Sequence, residues 1–247
     1  MLGIIGGSGL TNLPNLAISG HKAVRTPYGD PSSALSLGTV AGRDVVFLAR
    51  HGSEHTIPPH RVNYRANLWA LHAEGVTEVA AVFSVGGIAP ALAPGVIAIP
   101  AQLIDFTHGR AHTFFDGDDR NVVHVDFTWP YTQSVRTALL AAARAAGIPA
   151  QDGGVYSAVN GPRLETAAEI DWLERAGATM VGMTGMPEAG LARELGIAYG
   201  ALAVSVNFAA GRGDSAEQIS LEQINNTLGP AMERVREILE QWVRNHD

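Results

Sequence analysis

The chain of 247 residues has no cysteine. Disulfides and thiolate chemistry are excluded, and the absence fits a reducing compartment. No apolar run reaches the ~20 residues that cross a bilayer. The apolar start, Met1-Leu2-Gly3-Ile4-Ile5-Gly6-Gly7, has no basic flank and is broken by glycines. It reads as a first strand and not as a signal peptide, which points to the cytoplasm and to no membrane partner. Basic residues are few: 17 Lys and Arg against 24 Asp and Glu give a net charge of −7. That balance argues against nucleic acid as a partner, because phosphate backbones need a basic surface. A local anion pocket is still allowed, since a few Arg, His and backbone N–H groups can build one. No Pro/Ser-rich linker, charge run or internal repeat divides the chain, so a single domain over residues 1–247 is expected.

What is present is alternation. Short apolar strands are read at Leu2–Ile5, Asp44–Ala49, Val79–Ser84, Gly95–Pro100, Gly154–Val159, Met180–Met183 and Tyr199–Asn207. Helical spacing falls between them, at 63–74, 134–146, 167–176 and 187–195, and again at 221–243. A polar excursion runs from Ile104-Asp105 through Arg120. Such alternation predicts an α/β fold: a single domain with a mixed, largely parallel central sheet flanked by helices. Polar motifs stand repeatedly at the carboxyl ends of strands, where such sheets bind ligands.

Three of these motifs suit an anion. Gly6-Gly7-Ser8-Gly9 follows the first strand; glycines can present backbone N–H groups, and Ser8 adds a hydroxyl. The spacing is not that of a dinucleotide loop, and no P-loop lysine follows. Alone, the loop reads as a structural turn. Arg50-His51-Gly52 ends another strand, with His55 close by; Arg offers a planar fork for phosphate. Alone, it reads as a surface ion pair with solvated histidines. Thr184 precedes a helix led by Pro187, and helix N-termini attract anions. Alone, it is a plain N-cap. Together the three make a stronger argument for an anion site than any one does.

The segment Asn160-Gly161-Pro162-Arg163-Leu164-Glu165-Thr166 and the later Asn207 place a carboxylate and an amide in the same half of the chain. Such a pair can read the edge of a 6-oxopurine. Glu165 accepts from a ring N–H, and Asn207 suits both O6 and N7. The competing assignments are Glu165 as a helix cap or a partner of Arg163, and Asn207 as a turn residue.

These segments resemble the trimeric purine nucleoside and methylthioadenosine phosphorylase family over nearly the whole chain. The resemblance is carried by Gly6-Gly7-Ser8-Gly9-Leu10, by Arg50-His51-Gly52 with His55, and by the stretch from Val62 to Leu71 (VNYRANLWAL). Gly161-Pro162-Arg163 and Met183-Thr184-Gly185-Met186-Pro187-Glu188 extend it. It implies that Ser8, Arg50, His51, His55 and Thr184 hold phosphate, with Ser84 adding its N–H. It places Met183 beneath the ribose and brings His124 to the 5′ substituent from a neighbouring subunit. It further implies a homotrimer or hexamer, inorganic phosphate as co-substrate, no metal and no cofactor. The chain departs from the family at Phe83, where relatives carry Thr or Asn, at Ser53, which replaces an Arg, and at Leu164, which replaces a Phe beside the purine. Leu covers a base face less well than a ring does.

Two further expectations concern the substrate. In adenosine-type relatives aspartates serve the base, where this chain has Asn207 and Ala209. Glu165 with Asn207 suits N1–H of a 6-oxopurine, whereas adenine would bring a lone pair to the carboxylate. A buried mismatch of that kind discriminates by roughly 10⁴-fold. Where purine nucleoside phosphorylases place a His for the 5′-hydroxyl, an ungapped count puts Leu221, with Ile224 one turn on. An apolar wall there suits a methylthio group. The combined expectation is phosphorolysis of 5′-methylthioinosine; inosine, guanosine and methylthioadenosine are the alternative substrates. A nucleoside hydrolase, a Rossmann oxidoreductase and a nucleoside-binding protein without turnover are the rival classes.

Overall fold

The computed structural model describes residues 1–117 and 122–246. Eleven strands form one sheet. In chain order they are β1 (Leu2–Gly6), β2 (Ala17–Lys22), β3 (Leu35–Val40), β4 (Arg43–Ala49), β5 (Glu78–Gly87) and β6 (Ile97–Ile99). The others are β7 (Gln102–Asp105), β8 (Ala150–Asp152), β9 (Val155–Ala158), β10 (Met180–Gly182) and β11 (Ala198–Phe208). Five helices accompany them: α1 (Tyr64–Ala73), α2 (Gln133–Ala145), α3 (Ala167–Arg175), α4 (Gly185–Glu194) and α5 (Leu221–Arg244). The main path runs β2-β3-β4-β1-β5-β10-β9-β7, and β11 joins it beside β5. Parallel pairings outnumber antiparallel ones, six to four. The mixed, largely parallel sheet expected from alternation is therefore present.

Both faces of the sheet are covered, and strand periodicity decides which side chain goes where. Ala80 and Val82 of β5 pack with Leu202 and Val204 of β11 under α2 and α5. Their neighbours Val79, Ala81 and Phe83 pack with Ala201 and Ala203 toward α1 and α4. The helix α5 buries Ala231, Met232, Val235, Ile238, Leu239, Trp242 and Val243, one stripe of an amphipathic helix. None of the described helices is long and apolar enough to cross a membrane.

One pairing sets the position of the site. β1, β4 and β11 run in the same direction as β5 or its parallel neighbour. β10 runs against β5, with Val181 opposite Gly86, and β9 is parallel to β10. Two groups of strands therefore approach the Ser84–Gly86 stretch from opposite directions. Their carboxyl-terminal loops meet there.

Four strands escape the sequence reading: β2, β3, β7 and β8. β2 lies at the sheet edge and buries no side chain fully, so it has no hydrophobic alternation to detect. β7 and β8 are four and three residues long. The polar excursion after Asp105 holds no helix up to residue 117, and its expected end, Arg120, lies outside the described residues.

Candidate active site

The three anion motifs and the base-edge residues line one cavity of about 410 Å³. Its lining includes Ser8, Arg50, His51, His55, Ser84 and Thr184 together with Leu164, Glu165, Met183 and Asn207. Each comes from a loop after a strand or, for Ser84 and Asn207, from the end of a strand itself.

Arg50 is fully buried and is no surface residue. Its Nε and Nη2 donate to the two oxygens of Glu188, each at 2.7 Å, and Nη1 donates to the carbonyl of Val82 at 2.9 Å. The Tyr199 hydroxyl donates to the same carboxylate at 2.6 Å. Phe83, the departure from the family pattern, lies under the guanidinium, 5.2 Å from its carbon to the ring centroid. Burial opposes the Arg50 charge, but Glu188 more than offsets this and holds the pKa above the ordinary arginine value. Guanidinium has five N–H donors, so some remain for the cavity.

His51 donates from Nδ1 to the carbonyl of Ile57 at 2.8 Å, because a carbonyl can only accept. Burial, then the nearby Arg50 charge, push its pKa down to about 4. His55 is lowered too, by burial, and its Nε2 sits 3.4 Å from Ser8 Oγ. With both imidazoles neutral near pH 7 and Arg50 matched by Glu188, this end of the cavity holds little net charge. It can meet an anion through N–H and O–H dipoles and the residual fork of Arg50.

Close backbone approach explains Gly7. A Cβ there would stand 2.6 Å from the Val82 oxygen and 2.9 Å from Arg50 Nη1. Any larger residue would displace the guanidinium. The helix start at Thr184 differs from expectation. The N–H groups of Thr184 and Gly185 are not free: both donate to the buried Tyr156 hydroxyl, at 3.1 and 3.2 Å. Met186 is extended, with φ −122° and ψ 141°, so regular helix begins at Pro187. What Thr184 offers the cavity is its hydroxyl.

The alternative tasks for Glu165 are both performed by another residue. Glu169 pairs with Arg163 at 2.6 and 2.8 Å and closes the capping box with Thr166. Glu165 is left half-buried at the cavity, and desolvation raises its pKa from the ordinary glutamate value. Asn207 is a strand residue and not a turn residue. A bulge between Ser205 and Asn207 in the β11–β5 register lets both Val206 and Asn207 line the cavity; without it they would face opposite sides. Asn207 Nδ2 donates to the Phe208 carbonyl at 2.6 Å, which fixes the amide and leaves Oδ1 and one N–H. Met183 lies against Gly161, where a Cβ would come 2.4 Å from its sulfur.

Not every expected residue reaches the cavity. Ile224 does, joined by Leu228 one turn further along α5. Leu221 is 68% exposed at the start of α5 and is not part of the lining. The ungapped count across the loop falls short of the wall by about one helical turn. His124 is exposed and outside the cavity of its own chain. Ser53 lines a separate pocket near Phe47. The sequence reading missed Glu188, Tyr156, Tyr199 and Leu228. Leu228 was detectable as the i+4 partner of Ile224, and Glu188 as an acid among the apolar neighbours Ala189, Leu191 and Ala192.

Fold and site together define an α/β protein whose strand-end loops gather hydroxyls, imidazoles, a buried guanidinium, a carboxylate and an amide around one cavity. The profile of the phosphorylase superfamily matches residues 1–244. A probable S-methyl-5′-thioinosine phosphorylase of Pseudomonas syringae pv. tomato is 50% identical over 236 residues, covering 96% of this chain and 95% of that one. The 6-oxopurine nucleoside phosphorylase of Pyrococcus furiosus is 46% identical over 215 residues, covering 85% and 80%. Methylthioadenosine phosphorylase from Schistosoma mansoni, solved with adenine, superposes with a TM-score of 0.93 at 34% identity, covering 98% and 90%. The chain belongs to the phosphorylase superfamily.

Removing Glu188 leaves a buried, unmatched guanidinium. Glu188→Ala should cost about 3–5 kcal/mol of stability by urea unfolding. A loss below about 1 kcal/mol would mean that the pair does not hold this end of the cavity.

Proposed function

We propose that the protein cleaves the N-glycosidic bond of a 6-oxopurine nucleoside with inorganic phosphate, and that its preferred substrate is 5′-methylthioinosine. The products are hypoxanthine and 5-methylthioribose 1-phosphate. The observation that carries the reading is that Glu165 and Asn207 line the same cavity as Ser8, Arg50, His51, His55, Ser84 and Thr184. The names of the Pseudomonas and Pyrococcus relatives support the same chemistry.

In this mechanism phosphate lies against Ser8, Ser84, Thr184, the histidines and the residual donors of Arg50. The glycosidic bond loosens toward an oxocarbenium ion, which the phosphate anion stabilises. Electrons of the breaking bond go to the purine, and Asn207 disperses that charge by donating its free N–H to N7. Glu165 holds N1–H. A phosphate oxygen then bonds C1′, with no covalent enzyme intermediate. A hydrolase would leave the anion end without a purpose.

Ile224 and Leu228 support the methylthio reading, because they supply an apolar wall in place of Leu221. A homotrimer, with His124 reaching a neighbour's 5′ end, is part of the proposal. Val122, Val123, Val125 and Trp129 around His124 are exposed, and an apolar run of this kind favours burial against another subunit. The same reading has the whole chain acting as one domain in the cytoplasm, with phosphate as co-substrate and no cofactor.

Asn207→Asp tests the base assignment, because a protonated Asp can donate to N7 and accept from a 6-amino group. The rate ratio of methylthioadenosine to methylthioinosine should rise by about 10-fold or more. An unchanged ratio would remove Asn207 from base selection. The pH profile tests Glu165. Only the ionised carboxylate accepts from N1–H, and burial raises its pKa. The kcat/KM for the nucleoside should therefore fall with acidification, with a midpoint above the ordinary glutamate value. Glu165→Gln should abolish that limb; a limb that persists in the variant belongs to another group.

A further inference from the structure

Arg110 occupies a place that the reaction scheme does not use. It lies in the connection after β7, and β7, β9 and β10 are parallel neighbours in the sheet. Its side chain reaches back across the loops that follow the other two strands. Nη1 donates to the carbonyls of Met183 at 2.7 Å and Met186 at 2.5 Å, the two residues that flank Thr184-Gly185. Nη2 donates to the carbonyl of Asn160 at 2.9 Å, with Val159 further off at 3.5 Å. One terminal nitrogen thus serves the phosphate-side loop, and the other serves the loop that leads to Leu164 and Glu165. The Tyr64 ring packs on the guanidinium, 5.4 Å from its carbon to the ring centroid, and the Tyr64 hydroxyl lies 3.3 Å from Nη1. That hydroxyl donates in turn to Pro59, a third part of the cavity lining.

The connection that carries Arg110 is itself fastened. Thr113 Oγ1 and the Phe114 N–H donate to the two oxygens of Glu194, each at 2.7 Å. Glu194 closes the same helix, α4, that bears Glu188. Arg110 touches backbone carbonyls and Tyr64 and does not line the cavity, so its role is to position and not to react.

We propose that Arg110 is a positioning residue that couples the anion end of the cavity to the purine end through its two terminal nitrogens. The proposal rests on the phosphorylase reading above. A fork is required, because the two loops need donors in divergent directions. A lysine ammonium is a single point and can restore only one side.

Calorimetry tests this with inorganic phosphate and hypoxanthine as probes. Each is titrated alone and in the presence of the other, on the wild type, Arg110→Lys and Arg110→Met. In the wild type, saturating phosphate should tighten hypoxanthine by about threefold or more, and hypoxanthine should tighten phosphate by the same factor. In Arg110→Met both affinities should fall by about 10-fold and the factor should drop to about one. Arg110→Lys should recover the affinity for one ligand at most. General loosening would lower both affinities and keep the factor; that result overturns the proposal, as does a loss confined to one ligand in Arg110→Met. If Arg110→Met does not fold, Arg110→Lys decides by the same factor. A wild type that binds both ligands but does not turn over nucleosides with phosphate would sink the phosphorylase reading and leave the coupling to be judged by calorimetry. A wild type that binds neither would sink both.

Discussion

The buried pair of Arg50 and Glu188 is the constraint on which the anion end of the cavity depends. A guanidinium without solvent needs a fixed carboxylate, and Glu188 meets it with both oxygens while Tyr199 holds the carboxylate in place. The pair joins the end of β4 to α4 beneath β5. It also forces Gly7, because the first loop passes too close to Val82 and Arg50 for any side chain. Tyr156 continues the same layer by gathering the N–H groups of Thr184 and Gly185. This layer is therefore held by buried hydrogen bonds, and it is close to neutral. A neutral, donor-rich floor can meet an anion through dipoles alone, as the proposed phosphate site requires.

The part of the cavity proposed for the purine is built differently. It rests on loops and on one strand irregularity, and its polar groups are kept available by others. Glu169 takes both the helix cap and Arg163, and so leaves Glu165 for a ligand. Phe208 takes one N–H of Asn207 and so fixes the amide. The bulge in β11 turns Asn207 into the cavity beside Val206. Arg110 donates to carbonyls of the loops that follow β9 and β10.

Much of this was legible in the sequence because strand ends and glycine-bearing motifs are local. The β1 loop, the Arg50 segment and the Thr184 segment were each identifiable, and their convergence followed from the α/β alternation. Features that depend on long-range partners were not legible. Glu188 is 138 positions from Arg50, and nothing in the spacing pairs them. The edge strand β2 carries no buried face, so no period marks it. The reading of the apolar wall failed at Leu221 because the register crossed a loop of Gly211-Arg212-Gly213-Asp214, whose path spacing cannot fix. The wall itself survived, one turn along, at Ile224 and Leu228.

The proposed function has this cavity take phosphate and a 6-oxopurine together. Initial rates with 5′-methylthioinosine, inosine and 5′-methylthioadenosine, each with and without inorganic phosphate, test it most directly. The account predicts phosphate-dependent release of hypoxanthine, fastest from 5′-methylthioinosine. Faster release of adenine from 5′-methylthioadenosine, or release that ignores phosphate, would contradict it.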